Sequence, residues 1–320
     1  MVRLPEVIDD FDAVPAHAKG AVVVIGNFDG VHKGHQALIA DARTEADARG
    51  TTVGVLVFEP HPAEYFGRVS EPFRLAPLNA KVHMLGDFGV DFVYVCTFNE
   101  SVATLSAEDF VTRVLVDALG ARHVVVGYDF RFGHDRAGDT EMLRDLGETY
   151  GFDLDVVSAV RTTDDGDVYS STLIRQHLKA GRPADAAELL GHPWYVEGPV
   201  VEGDQRGRTI GFPTANVSMQ GYLEPRLGVY AVLVEVEDGP HEGEYLGVAN
   251  IGKRPTFNKD DVTLEVHLFD FAGDLYGTTV RVSFVEFLRA EQKFDGLDAL
   301  KAQIAADCDE ARRILGADAA

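Results

Sequence analysis

The decapeptide GNFDGVHKGH at residues 26–35 follows the apolar run AVVVI (21–25) and places three glycines, two histidines and one aspartate in ten positions. The β-branched run reads as a buried strand and HQALIADAR (35–43) as a helix, so the decapeptide is the turn between the first strand and first helix of a parallel sheet. Open α/β sheets bind ligands at the carboxyl edge of their strands, where helix N-termini offer unpaired N–H groups to phosphate. His32, Gly34 and His35 form the pattern HxGH. Two imidazoles one turn apart can donate to the α-phosphate and to the departing pyrophosphate of a nucleotide. Gly26, Gly30 and Gly34 let the backbone come close. The spacing matches neither G-x-x-x-x-G-K-[ST] nor G-x-G-x-x-G.

Working outward, residues 20–180 keep one texture. Short β-branched runs, VVVI (22–25), TTVGVLVF (51–58), VDFVYVC (90–96), RHVVVG (122–127) and DLDVVS (153–158), alternate with helix-like segments. One of these, SAEDFVTRVLVDAL, opens with a capping-box-like Ser106, Glu108 and Asp109. Near-continuous apolar strands separated by helices predict a doubly wound α/β domain with both sheet faces covered. FEPHP (58–62), GYDFRFGHDRAGD (127–139) and YSSTLIRQHL (169–178) then fall at strand ends or helix starts of the same edge. Such a cluster reads as a nucleotide pocket, with Ser170, Ser171, Thr172 and Arg175 on triphosphate oxygens.

From residue 194 the pattern becomes strand, turn, strand: WYVEGPVVEG, TIGFPTANVS, GVYAVLVEVE, YLGVANIG, VTLEVHLFDF and TTVRVSFVEFL. Alternation with closely spaced Gly turns predicts a small antiparallel barrel, closed by an amphipathic helix over 295–315. The composition shifts within LKAGRPADAAELLGHP, which places a domain boundary near residue 182, giving domains 1–182 and 183–320.

Composition narrows the function classes. The chain has 320 residues, 46% of them hydrophobic, enough for two cores. A formal charge of -23, from 29 Lys and Arg against 52 Asp and Glu, argues against a nucleic-acid partner. An anionic substrate must be held by local groups and a divalent cation. No apolar run approaches the length of a bilayer span, and MVRLPEVIDDFD has neither the basic start nor the apolar stretch of a signal peptide, so a cytoplasmic location is expected. Cys96 and Cys308 stand alone and read as buried small hydrophobes.

GNFDGVHKGH, FEPHP, GYDFRFG and SSTLIR, in this order, resemble the FMN adenylyltransferase module of prokaryotic bifunctional riboflavin kinase/FAD synthetase, a member of the HxGH nucleotidyltransferase superfamily. GRTIGFPTAN (207–216), GVY (228–230), NIGKRPTF (250–257), LEVHLFDFAGDLYG (264–277) and LRAEQKF (288–294) resemble its riboflavin kinase module. The resemblance covers nearly the whole chain. It implies two reactions: phosphorylation of riboflavin by ATP to FMN, then adenylylation of FMN to FAD with release of pyrophosphate. It implies Mg²⁺, ATP as co-substrate and flavins as substrates and products; from charge and hydropathy no nucleic-acid or membrane partner is expected, and weak self-association is entertained beside them. A kinase with an inactive adenylylating half and a flavin-nucleotide sensor without turnover are the rival readings.

Carried over residue by residue, the resemblance puts Gly26, Phe28, Asp29, Gly30, His32, Gly34 and His35 in the first nucleotide motif, and Ser171, Thr172 and Arg175 in the second. Asp129 stands where some members carry Asn near the flavin or phosphates; ionised, it accepts but cannot donate. Phe130 and Phe132 read as packing. In the second half, Gly207, Arg208 and Gly211 form a turn able to wrap phosphate. Thr214 and Asn216 offer oxygen ligands suited to Mg²⁺, with Pro213 stiffening their placement. Strand alternation puts Glu265 and His267 on one face. The resemblance makes Glu265 the general base, while His267 reads as a satisfied structural histidine; Arg289 and Glu291 either pair across a helix start or position flavin, surface pairing being the default.

Overall fold

The computed structural model describes residues 4–69, 72–161, 166–203, 207, 210–237, 239–256 and 259–316; side chains of 254–256 and 259–261 lie outside the description. Arg208, expected in the phosphate turn, also lies outside the described residues. The chain divides into two compact units, one of residues 1–71 with 77–170, the other of 72–76 with 171–320.

The first unit is built on a six-stranded parallel sheet: β1 (Glu6–Ile8), β2 (Val22–Ile25), β3 (Val53–Glu59), β4 (Phe92–Thr97), β5 (His123–Gly127) and β6 (Asp153–Val157), in the order β1-β4-β3-β2-β5-β6. Every residue of β2 is buried, as its unbroken apolar run requires. The direction of winding reverses between β2 and β5, so the turn after β2 opens at the topological switch point where such sheets bind ligands. Helices α1 (Lys33–Arg49), α2 (Pro62–Tyr65), α3 (Leu78–Asp87), α4 (Glu100–Ala103), α5 (Ala107–Phe110) and α6 (Thr140–Tyr150) fill the connections.

Ser106 caps α5 as its sequence signals, its Oγ accepting from the Asp109 N–H at 3.0 Å. The helix then passes into a π-helical stretch, Val111–Ala118. Edge strand β1 went unread because it is three residues long with two of them exposed, too short to show a period. The core runs through Val23, Ile25, Leu56, Tyr94, Leu115 and Val126, and Phe130 packs against it beside buried Phe132, their rings stacked at 5.5 Å. Packing is the role read for both phenylalanines.

The second unit opens with α7 (Ser171–Lys179) and α8 (Pro183–Leu190) and continues into a closed barrel. Its strands are β7 (Tyr195–Val201), β8 (Ala215–Val217), β9 (Gly228–Val236), β10 (Gly243–Thr256), β11 (Lys259–Leu268) and β12 (Thr279–Arg289), in the cyclic order β10-β11-β8-β7-β12-β9. All six predicted strands are present, every pair antiparallel. Helix α9 (Leu297–Leu315) sets Cys308 and Ala311 against Val229, Ala231, Val248 and Phe269. Residues 72–76 serve this unit: the Trp194 indole donates to the Leu75 carbonyl at 2.9 Å, and the Leu223 N–H to the Arg74 carbonyl at 2.7 Å. Cys96 and Cys308 are both buried, and burial pushes each thiol up to about 11, so neither is a thiolate at neutral pH.

Candidate active sites

In the first unit the decapeptide leaves β2 through an unusual backbone. Phe28, Gly30 and Val31 all have positive φ, 48°, 80° and 42°. For a phenylalanine and a valine this is a conformation held by the surroundings, of the kind that concentrates at functional sites. The surroundings are tight: Phe28 and Val31 are fully buried and Asp29 is 2% exposed.

His32 is the N-cap of α1, its Nδ1 accepting from the His35 N–H at 3.4 Å. The two imidazoles stack with centroids 3.7 Å apart and planes 19° from parallel. Phe28 closes the other side of His35 at 4.8 Å between ring centres. Gly34 is required by close approach, since a Cβ there would lie 3.1 Å from His32 Nδ1 and 3.6 Å from the Tyr169 Cβ. Gly26 is squeezed in the same way, its missing Cβ falling 3.0 Å from the Phe28 ring.

His35 is held neutral. Burial lowers its pKa well below the ordinary 6.5, and the neighbouring His32 and then Lys81 push it further the same way. His35 Nδ1 is out of solvent with no hydrogen-bond partner among the described residues. An imidazole with an unengaged ring nitrogen at the head of a helix is prepared to meet a ligand.

Sequence reasoning missed Lys81, on α3. It is 2% exposed, and its Nζ lies 3.3 Å from a carboxylate oxygen of Glu59, the last residue of β3. A lone lysine inside the apolar segment LNAKVHML was its only signal in the sequence. Glu59 belongs to FEPHP, in which His61 caps α2, accepting from the Ala63 N–H at 3.0 Å while Glu64 accepts from the His61 N–H at 3.2 Å.

Asp129 is exposed in the turn that follows β5. Ser171, Thr172 and Arg175 lie on α7, in the second unit; the Arg175 Nε donates to the Phe73 carbonyl at 2.7 Å, with the guanidinium 4.9 Å from the Phe73 ring centre.

The barrel carries the second site, a cavity of about 360 Å³ whose lining includes Thr214, Glu265, Asn250, Arg289, Glu291 and Ile304. Asn216 on β8 pairs directly with Glu265 on β11, and Glu265 with Asn250 on β10. Directly opposed residues share a face, so these three polar side chains form a row across three adjacent strands. Thr214 Oγ1 and the Asn216 side chain are crowded by glycines: a Cβ at Gly207 would lie 3.3 Å from the hydroxyl, and one at Gly203 2.7 Å from the Asn216 Oδ1. Gly211 sits at φ 94° in the same turn, one residue before Phe212 and two before Pro213. His267 donates from Nδ1 to the Pro213 carbonyl at 2.7 Å, which fixes the segment bearing Thr214 and gives this histidine the structural partner read for it.

Arg289 departs from expectation. Its partner is not Glu291 but Asp307 of α9, gripped by Nε at 2.9 and 3.2 Å and by a terminal nitrogen at 2.7 Å, with Gln303 donating to the same carboxylate at 2.9 Å. Asp307 is 6% exposed, a buried carboxylate on the helix that closes the barrel. The pair lies 18 residues apart and crosses from strand to helix, beyond the reach of local spacing.

Two family models match in succession along the chain. Residues 14–173 match the FAD synthetase model and residues 190–315 the riboflavin kinase model. A bifunctional riboflavin kinase/FMN adenylyltransferase of Escherichia coli (strain K12) is 45% identical over 302 residues, covering 94% of this chain and 95% of that protein. The chain belongs to the bifunctional riboflavin kinase/FMN adenylyltransferase family. A member from Bacillus subtilis (strain 168) is 39% identical over 303 residues, 92% of each chain. A crystal structure described as that of a macrolide-efflux protein from Streptococcus pneumoniae superposes with a TM-score of 0.84 at 33% identity, covering 97% of this chain and 99% of that one. Among the described residues no helix is long and apolar enough to cross a membrane. The HxGH turn and Lys81 fall inside the FAD synthetase match, and the Asn216–Glu265–Asn250 row inside the riboflavin kinase match.

Proposed function

We propose that the chain makes FAD from riboflavin in two steps, with residues 183–320 acting as riboflavin kinase and residues 1–182 as FMN adenylyltransferase. The observation that carries this reading is the presence, in one chain, of a stacked HxGH pair at the switch point of a parallel sheet and of Thr214 and Glu265 lining a barrel cavity with Asn216 opposite Glu265 in the register, each inside the corresponding family match.

In the first step Glu265 takes the proton of the riboflavin primary hydroxyl as its oxygen attacks the γ-phosphorus of ATP, and ADP leaves. Thr214 and Asn216 provide hard oxygen donors beside closely packed backbone, a set that fits Mg²⁺. When bound, Mg²⁺ supplies positive charge to the nucleotide phosphates. Gly207, Arg208 and Gly211 wrap those phosphates, and Pro213 holds the turn.

In the second step an FMN phosphate oxygen attacks the α-phosphorus of a second ATP and pyrophosphate departs; no protein nucleophile is needed. His32 and His35 act by positioning and by donating to charge that builds on the phosphates. Gly26, Phe28, Asp29, Gly30 and Gly34 shape the turn, and Asp129, Ser171, Thr172 and Arg175 complete the nucleotide contacts. The protein works in the cytoplasm on small molecules, with weak self-association and without nucleic acid or membrane.

A time course with riboflavin, ATP and Mg²⁺, resolved by chromatography, tests this. FMN rises first and FAD follows. FMN that accumulates without FAD contradicts the adenylyltransferase assignment, and unchanged riboflavin contradicts both.

A further inference from the structure

The first sheet carries a second group of titratable side chains, at the edge opposite the HxGH turn. His123 is the first residue of β5 and pairs in register with Asp153, the first of β6. Asp155, two residues on, returns to the same face, and its carboxylate lies 2.8 Å from His123 Nε2. Helix α1 packs on β5 and supplies Glu45, one turn before its last residue, Arg49. One ligand-type atom from each of Glu45, His123 and Asp155 lies within 4.8 Å of the others.

The partners of His123 fix its chemistry. A carboxylate only accepts, so Nε2 is the donor to Asp155 and, in the neutral ring, Nδ1 carries the lone pair. That nitrogen belongs to a residue 3% exposed, and it is out of solvent with no hydrogen-bond partner among the described residues. It faces Glu45 Oε2 at 3.8 Å, beyond hydrogen-bonding distance. A lone pair turned toward a carboxylate is repulsive unless a cation lies between them. Bonds of about 2.0–2.2 Å put two zinc ligands roughly 3.4 Å apart at the tetrahedral angle, and further apart as that angle opens. The gap therefore accommodates one ion. The surrounding charge has the right sign: the carboxylates of Glu45, Asp153 and Asp155 meet a single guanidinium, Arg49, 3.4 Å from Glu45 and 2.8 Å from Asp153.

We propose that His123 Nδ1 and the Glu45 carboxylate bind a first-row divalent transition-metal ion of the Zn²⁺ class, with water filling the remaining positions. Asp155, accepting from Nε2, orients the imidazole from outside the coordination sphere, as carboxylates do behind zinc-bound histidines. An imidazole ligand favours Zn²⁺ over Mg²⁺, which takes oxygen donors. Ten residues separate Glu45 from His35, roughly 15 Å along a helix, so this ion is distinct from the Mg²⁺ that serves the nucleotide phosphates. Its effect is to fasten the C-terminal end of α1 to β5.

The test is equilibrium dialysis of the full-length protein against Zn²⁺ in excess Mg²⁺. Wild type retains one Zn²⁺ per chain that Mg²⁺ does not displace. Glu45→Gln and His123→Ala each lose it, and Asp155→Ala raises its Kd about ten- to a hundredfold, the usual cost of removing an outer carboxylate. His32→Asn leaves binding unchanged. Circular dichroism checks that each variant is folded; Glu45 and Asp155 are partly exposed, so their variants carry the test should His123→Ala unfold. Wild-type protein that retains no Zn²⁺ overturns the proposal, as does undiminished retention by Glu45→Gln. Loss of the ion in His32→Asn also overturns it, since the ion would then sit at the HxGH turn.

Discussion

The two units build their sites by opposite means. In the first, His32, Gly34 and His35 are neighbours in sequence, and the fold's contribution is to force a short turn into positive φ at Phe28 and Val31 and to press the rings together. In the second, Asn216, Glu265 and Asn250 come from three strands and meet only through register. A site made from one turn is precise because its backbone is constrained, whereas a site made from a row is precise because its strands are paired. The first tolerates changes elsewhere in the sheet but not within the turn. The second depends on whatever holds the barrel and its covering helix together.

The largest effect that sharpens this contrast is the separation of activities. Glu265→Gln lowers FMN formation about a hundred- to ten-thousandfold, the range for removing a general base, and leaves adenylylation of supplied FMN at the wild-type rate. His35→Ala does the reverse, lowering FAD formation about a hundred- to a thousandfold, as for loss of one preorganised donor, with riboflavin phosphorylation intact. Radiolabelled ATP with each flavin supplied separately reads both. Loss of both activities from either change would break the contrast.

Next in size is the grip of α9 on the barrel. Asp307 is almost fully buried and bonded to Arg289 through three contacts, so Asp307→Ala destabilises the second unit by about 3 kcal/mol. Urea unfolding followed by the fluorescence of Trp194, the single tryptophan and a residue of this unit, measures it. An unchanged midpoint would show that the barrel holds α9 without the pair.

The smallest effect concerns proton uptake at His35. Its folded pKa lies below 6.5 through burial and the adjacent His32 and Lys81. Between the two values the unfolded chain binds a proton that the folded chain does not, so stability contributed here is present above pH 6.5 and declines as pH falls below it. His35→Asn removes that decline, and wild-type and variant melting temperatures converge as pH is lowered from 7.5 to 5.5. Parallel curves would place the acid sensitivity elsewhere.

How much of this was legible in the sequence follows the same division. The decapeptide announced both the parallel sheet and the nucleotide turn, because apolar strand, glycines and helix start are consecutive. All six barrel strands were legible from alternation and turns. Edge strand β1 was not, being too short for a period, nor was the π-helical stretch after Phe110, whose sequence still reads as an ordinary helix. Lys81 and Asn250 were missed for one reason: each acquires its meaning from a partner distant in sequence, Glu59 for one and Glu265 for the other. Arg289 was misassigned because Glu291 is near in sequence and Asp307 is near only in space.

The central claim is that one chain carries two independent sites joined by a shared flavin nucleotide. Mixing equal amounts of Glu265→Gln and His35→Ala proteins with riboflavin, ATP and Mg²⁺ tests it most directly. The account predicts that neither variant alone makes FAD from riboflavin at a rate near wild type, and that the mixture does, with FMN passing from one protein to the other. Wild-type FAD formation by either variant alone, or a mixture no better than its components although each retains its one activity, would contradict it.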